Sequence, residues 1–183
     1  MRARFVLVPV ASVVAVAAQA GMAAPAFATV YLSIEQAQDV LVPGATLVPD
    51  FRTLTRDQVR AIEKASGVNV LTRDLKVWRA STGGWFIADQ VVGKHEFIPF
   101  ALALDRDGAV TGVEILEYRE AYGDQIRQTA WRAQFVAKRQ GAPLKLTADI
   151  QNISGATLSS RHLTDGVKRL LATHAIVLAT SPR

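Results

Sequence analysis

The sequence contains no cysteine. That excludes disulfides, thiolate catalysis, cysteine-ligated zinc, iron–sulfur clusters and thioether-linked haem. Histidine is also scarce. His95, His162 and His174 are scattered, and the last two stand too far apart on one expected helix to meet as an i,i+4 ligand pair, so no metal site is expected. Lysine and arginine form no run, although the formal charge is +5, so nucleic-acid binding is not expected. Low-complexity linkers and internal repeats are missing too. What is present is a half-hydrophobic chain of 183 residues, enough for one domain with its own core.

The front of the chain differs from the rest. Arg2 and Arg4 precede a charge-free stretch, 5–28, rich in Val and Ala and ending in Ala26-Phe27-Ala28. This reads as a secretory signal peptide over residues 1–28, cut before Thr29, with Ala24-Pro25-Ala26 as a second possible site. Cleavage would remove two arginines and no acid, taking the charge from +5 to +3. The expected location is the periplasm or another exported compartment. The alternative reading is an uncleaved anchor in the inner membrane, because the stretch is long enough to span one. Pro9, Gln19, Gly21 and Pro25 speak against that alternative.

Beyond residue 28 the patterns alternate between helix and strand. Residues 29–50 read as an irregular segment with a short helix near Ser33–Val40. Thr53 or Thr55 can cap a helix over Arg56–Ala65 that Gly67 ends. Leu75–Ala80 and Trp85–Val92 alternate as strands around a Ser81–Gly84 turn. Phe97–Leu104 and Ala109–Tyr118 form a second pair around Asp105-Arg-Asp-Gly108, and Pro99 predicts a late start or an edge position for the first of them. Asp124–Lys138 reads as a helix, with Ile126, Ala130, Ala133 and Val136 on one face. Leu144–Leu146 reads as a short strand. A final helix over about Ser159–Leu178 carries the stripe Leu163, Val167, Leu170, Leu171, Ala175 and Leu178. This order predicts an α+β fold, an antiparallel β meander packed against helices in a single domain, residues 29–183.

One segment carries candidate chemistry. Ile153-Ser-Gly-Ala-Thr-Leu-Ser-Ser160 stands directly before the last helix. Helix N-termini present unpaired N–H groups and partial positive charge, which suits phosphate. Gly155 and Ala156 permit close approach, and Thr157, Ser159 and Ser160 offer hydroxyls. The segment reads either as a phosphate cradle or as an ordinary Ser/Thr-capped helix start. Elsewhere Glu114 and Glu117 read as solvated carboxylates, and Trp78, Trp85 and Trp131 as core.

Ser154-Gly-Ala-Thr-Leu-Ser-Ser160 resembles the flavinylation signature of FMN-binding domains. These occur in FMN-carrying subunits of sodium-pumping NADH:quinone oxidoreductases, in related ferredoxin-linked membrane complexes and in small exported proteins. Gly112–Glu120 followed by Ala121-Tyr-Gly123 resembles the family's strand and flavin-side loop, usually Glu-Thr-Pro-Gly. Glu120 and Gly123 match, while Ala121 and Tyr122 depart. The likeness covers roughly Val91 to Leu171. It implies FMN joined by a phosphoester to Thr157, installed by a flavin transferase that takes FMN from FAD. The cofactor-binding residues it implies are Ser154, Gly155, Ala156, Thr157, Leu158, Ser159, Ser160, Glu120, Tyr122 and Gly123. Tyr122 could pack on the flavin ring, and Lys94-His95 could meet the flavin or its phosphate. The implied role is an electron carrier with a membrane or extracytoplasmic redox partner, not a turnover enzyme. A flavin-free exported binding or sensory module of the same fold is the alternative.

Two features of this sequence stand apart from the family pattern. Gln151 stands where an Asp is usual, with Asp149 two residues earlier. Gly44-Ala-Thr-Leu47 repeats the core letters, but Pro43 and Val48-Pro49 flank it and oppose a helix start, so it reads as a structural loop.

Overall fold

The computed structural model describes residues 29–179, and the expected signal peptide at 1–28 lies outside the described residues. The chain runs β1 (Thr29–Val30), α1 (Ile34–Leu41), β2 (Leu47–Pro49), β3 (Arg52–Thr53) and α2 (Arg56–Ser66). The strands β4 (Asp74–Ala80), β5 (Trp85–Val92), β6 (Phe97–Leu104), β7 (Val110–Ile115) and β8 (Glu117–Tyr118) follow. The short α3 (Thr129–Arg132) and the long α4 (Thr157–Thr173) complete it. The main sheet has the order β2-β4-β5-β6-β7, all antiparallel, with β3 also on β4 and β1 on β8. The fold is α+β, as the sequence predicts.

Alternation along the central strands sorts the core into two layers. Ile87, Phe100, Leu102 and Leu104 face α2 and α4, where Ile62, Leu163, Val167 and Leu170 meet them. The intervening Phe86, Ala88 and Ala101 face α1 through Ala37. Close approach is built in at two glycines. A Cβ at Gly166 of α4 would lie 2.5 Å from Val91 and 3.1 Å from the Phe100 ring. A Cβ at Gly112 of β7 would lie 2.6 Å from Leu41 of α1. The two N-terminal helices begin with reciprocal caps. Ser33 and Gln36 cap α1, and Thr55 and Gln58 cap α2, which ends on Gly67 at φ +70°.

Several expectations are corrected. The helix expected over 124–138 is broken: Asp124–Arg127 and Ala133–Phe135 are tight 3-10 turns around the four-residue α3. Trp131 Nε1 donates to Gln151 O at 2.6 Å, and Ala137 N–H donates to Val110 O at 2.8 Å. These tertiary bonds pull the segment onto β7, so Ile126, Trp131 and Phe135 are buried while Ala130, Ala133 and Val136 are exposed. Leu144–Leu146 forms no strand. Leu144 sits at φ +42°, and Leu146 makes only an isolated bridge to Ile150.

Pro99 lies inside β6, which is central between β5 and β7. Its missing N–H falls where β7 breaks off at Leu116, whose carbonyl instead accepts from Tyr31 N–H at 2.9 Å. The N-terminal segment thus supplies the donor that proline lacks. The last helix begins at Thr157, two residues before the expected start, and its final turn widens to a π-helix over His174–Leu178. That change of period turns Ala175 outward. Glu114 is not a solvated carboxylate but pairs with Arg132, both largely buried. Among the described residues, no helix is long and apolar enough to cross a membrane.

Candidate functional site

The start of α4 is set by a tight turn. Ala156 N–H donates to Ile153 O at 3.0 Å, and Gly155, third in that turn, sits at φ +80°, where a glycine fits without strain. Ala156 occupies the N-cap position, and no side chain caps the helix. The first intrahelical bond runs from Ser160 N–H to Ala156 O at 2.9 Å. The N–H groups of Thr157, Leu158 and Ser159 therefore precede the helical ladder and point out of its positive end. Thr157 is exposed, and its Oγ1 accepts from Asn152 Nδ2 at 3.1 Å.

The loop after β8 packs onto this helix start. Tyr118 Oη donates to Tyr122 O at 2.5 Å and lies 2.9 Å from Ser159 Oγ. Burial raises the Tyr118 pKa; the Ser159 bond opposes this, and the charges of Glu120 and Asp124 add to it, so the phenol stays protonated. A Cβ at Gly123, where φ is +102°, would lie 2.5 Å from Tyr118 Oη and 2.8 Å from Ser159 Oγ. Glycine is required there for both reasons.

Opposite stands the β5–β6 turn. Glu120 Oε1 accepts from His95 N–H at 2.6 Å and Glu96 N–H at 3.0 Å. Burial works against ionising Glu120, but these donors and Lys94 N–H prevail, and its pKa lies below the usual carboxylate value. Between the turn, the loop and the helix start lies a cleft of about 440 Å³, lined by Lys94, His95, Glu120, Ala121, Tyr122 and 155–159. That volume lies within the range of small-molecule pockets.

The structure thus brings Glu120, Tyr122, Gly155, Ala156, Thr157, Leu158 and Ser159 to one cleft, together with Lys94 and His95. Tyr122 is 84% exposed, which leaves its ring available to a ligand. Gly123 stands behind the wall as a packing residue. Ser154 is exposed but does not line the cleft, and Ser160 is fully buried with an unpartnered Oγ. Ser159 lines the cleft, but its hydroxyl is engaged by Tyr118. Tyr118 was missed by sequence reasoning, since its partner Ser159 is 41 residues away. Asp149 does not reach toward Thr157: its carboxylate accepts Leu144 N–H, Lys145 N–H and Lys138 Nζ. Gln151 spends its backbone on Gln134 and Trp131. No group of metal-binding side chains occurs among the described residues.

Comparison with known families bears on this cleft. Residues 93–172 match the model of the FMN-binding domain. The match covers this segment, less than half of the chain. It begins at the turn held by Glu120 and ends on α4, so it contains every residue lining the cleft. Among solved structures, one component of the Na+-translocating NADH-quinone reductase from Parabacteroides distasonis is similar. The match has TM-score 0.49 and 15% identity and covers 75% of this chain and 80% of that one. No curated protein matches the chain.

The residues of the cleft fit FMN. The helix start offers free N–H groups to a phosphate, Gly155 leaves open space beside it, and Tyr122 offers an aromatic face.

Proposed function

We propose that this chain is an exported electron-carrying flavoprotein that holds FMN through a phosphoester to Thr157. The observation that carries the reading is the Thr157 hydroxyl itself. It is exposed at the first residue of α4, in the cleft of an FMN-binding domain, beside N–H groups with no helical acceptor. Attachment would proceed from FAD on a flavin transferase. Thr157 Oγ1 would give up its proton and bond the FMN-side phosphorus as the pyrophosphate bond breaks and AMP leaves.

Bound FMN would supply the redox chemistry. The chain's own residues would hold and shield it. The α4 N–H groups would hold the phosphate and Tyr122 would lie against the ring, while the Tyr118–Ser159 pair keeps the loop against the helix. A tether would also suit an exported carrier, which could not easily replace lost FMN. Its redox partner would be a membrane or extracytoplasmic protein.

Coexpression with an exported flavin transferase tests this. The expected product carries one FMN-sized mass adduct and absorbs in the blue. A colourless protein of unmodified mass would leave the flavin-free binding module as the better account.

A further inference from the structure

The β5–β6 turn has an internal arrangement that the flavin reading does not use. The N–H groups of Lys94, His95 and Glu96 converge on one carboxylate, that of Glu120. Successive N–H groups arranged this way form an anion-binding nest. Here the anion comes from the chain itself. The turn is closed further by Gly93 N–H to Glu96 O at 2.7 Å. A Cβ at Gly93 would lie 2.4 Å from Glu120 Oε1 and 2.8 Å from Glu96 O, so the grip tolerates no side chain there.

Two consequences follow. The nest is filled and cannot receive a ligand's phosphate. The turn is also held in one shape, with the exposed side chains of Lys94 and His95 lining the cleft that Thr157 lines. Among the described residues Lys94 is in no ion pair, so its ammonium has no carboxylate to hold it away. The cleft therefore combines helix N–H groups with a point positive charge, the combination that favours a phosphate.

We propose that Lys94 makes the cleft selective for a phosphorylated flavin, and that Glu120 is the positioning residue that holds Lys94 there. This rests on the FMN reading. Glu120 acts through the 94–96 backbone and need not touch the flavin. His95 shares the wall.

The full chain, produced without a flavin transferase, is titrated with FMN and with riboflavin, which lacks the phosphate, and flavin fluorescence is followed. Wild type should bind FMN more tightly than riboflavin. Lys94→Met should weaken FMN roughly tenfold, the scale of one charged hydrogen bond, and leave riboflavin nearly unchanged. Glu120→Gln should give the same FMN-specific loss together with faster amide exchange at Lys94, His95 and Glu96. Lys64→Met, on the exposed side of α2, removes the same charge elsewhere and should change neither flavin. If wild type binds neither flavin, or binds both equally, this proposal is overturned, while the FMN reading stands or falls on the transferase coexpression. If wild type prefers FMN but Lys94→Met keeps the full preference, or loses both flavins equally, the FMN reading stands and the role of the turn is overturned. If Glu120→Gln alone keeps the preference, the positioning role is overturned.

Discussion

The chain contains the tetrapeptide Gly-Ala-Thr-Leu twice, and the two copies fold differently. Both start with a left-handed glycine, φ +72° at Gly44 and +80° at Gly155, and a Cβ at either would meet nothing within 4 Å. They diverge at the threonine. Thr46 N–H donates to Ser81 Oγ at 3.1 Å, its carbonyl accepts Ser81 N–H at 2.9 Å, and Leu47 opens β2 opposite Ala80. Thr157 opens α4 with its N–H outside the helical ladder. The flanks decide. Val48-Pro49 suits an edge strand and forbids a helix interior, while residues 159–171 repeat their apolar positions at helical spacing. A threonine whose backbone is already paired has nothing to offer a phosphate. On the proposed reading, the short motif carries chemistry only where the residues after it make a helix.

The largest expected effect tests this contrast directly. Thr157→Ala should abolish the covalent flavin, because no oxygen remains to bond phosphorus, whereas Thr46→Ala should leave it intact. Thr157→Ser should retain part of it. Thr157→Ala should cost only about 1 kcal/mol of stability, since it loses one exposed hydrogen bond, that from Asn152. Flavin fluorescence of the band on a denaturing gel reads the adduct. A fluorescent Thr157→Ala band, or a dark Thr46→Ala band, would assign the cofactor to the wrong copy.

A smaller effect separates conformation from chemistry. Gly44→Ala and Gly155→Ala both place a side chain in the left-handed region with room for its Cβ, so each should destabilise by about 1 kcal/mol through backbone strain alone. Urea titration should give similar midpoint shifts for the two. Adduct yield should fall only for Gly155→Ala, because the strained residue lies in the turn that aims Thr157. Equal yields would mean that the transferase does not depend on that turn.

What the sequence made legible follows the range of the interactions involved. The short helix after Ser33, the helix capped by Thr55, one of the two expected caps, and the hairpin around Asp105–Gly108 depend on residues within a few positions, and they fold as expected. The segment 124–138 does not, because Trp131, Arg132 and Ala137 bond to Gln151, Val113 and Val110. No local pattern announces those partners. The cleft divides the same way. Thr157, Glu120 and Tyr122 were named through a family resemblance. The Tyr118–Ser159 contact and the nest at 94–96 required chain segments far apart in sequence to meet.

The smallest effect compares the carboxylates that hold the two neighbourhoods. Near the strand-forming copy, Asp50 is held below its ordinary value of 3.8 mainly by its bond to Arg52, against burial and with help from Arg79. At the cleft Glu120 is held below 4.5, against burial, by N–H groups of the 94–96 turn. Both folded-state pKa values are depressed. Each contribution is therefore present in full above the ordinary value and is lost as pH falls through the folded-state value. Stability should drop on acidification below about 4.5, and Glu120→Gln should flatten the first part of that fall. The partners differ in kind. Asp50 pairs with guanidinium groups at a site 27% exposed, which salt screens. Glu120 is gripped mostly by backbone dipoles at contact distance, which salt screens much less. Raising ionic strength from about 0.1 to 1 M should thus shrink the Asp50 contribution, measured against Asp50→Asn, by a few tenths of a kcal/mol. The Glu120 contribution, measured against Glu120→Gln, should hold. Denaturant titrations of the three proteins at both salt concentrations supply the comparison. A Glu120 contribution that fades with salt as fast as that of Asp50 would mean a side-chain cation, and not the nest, holds the carboxylate.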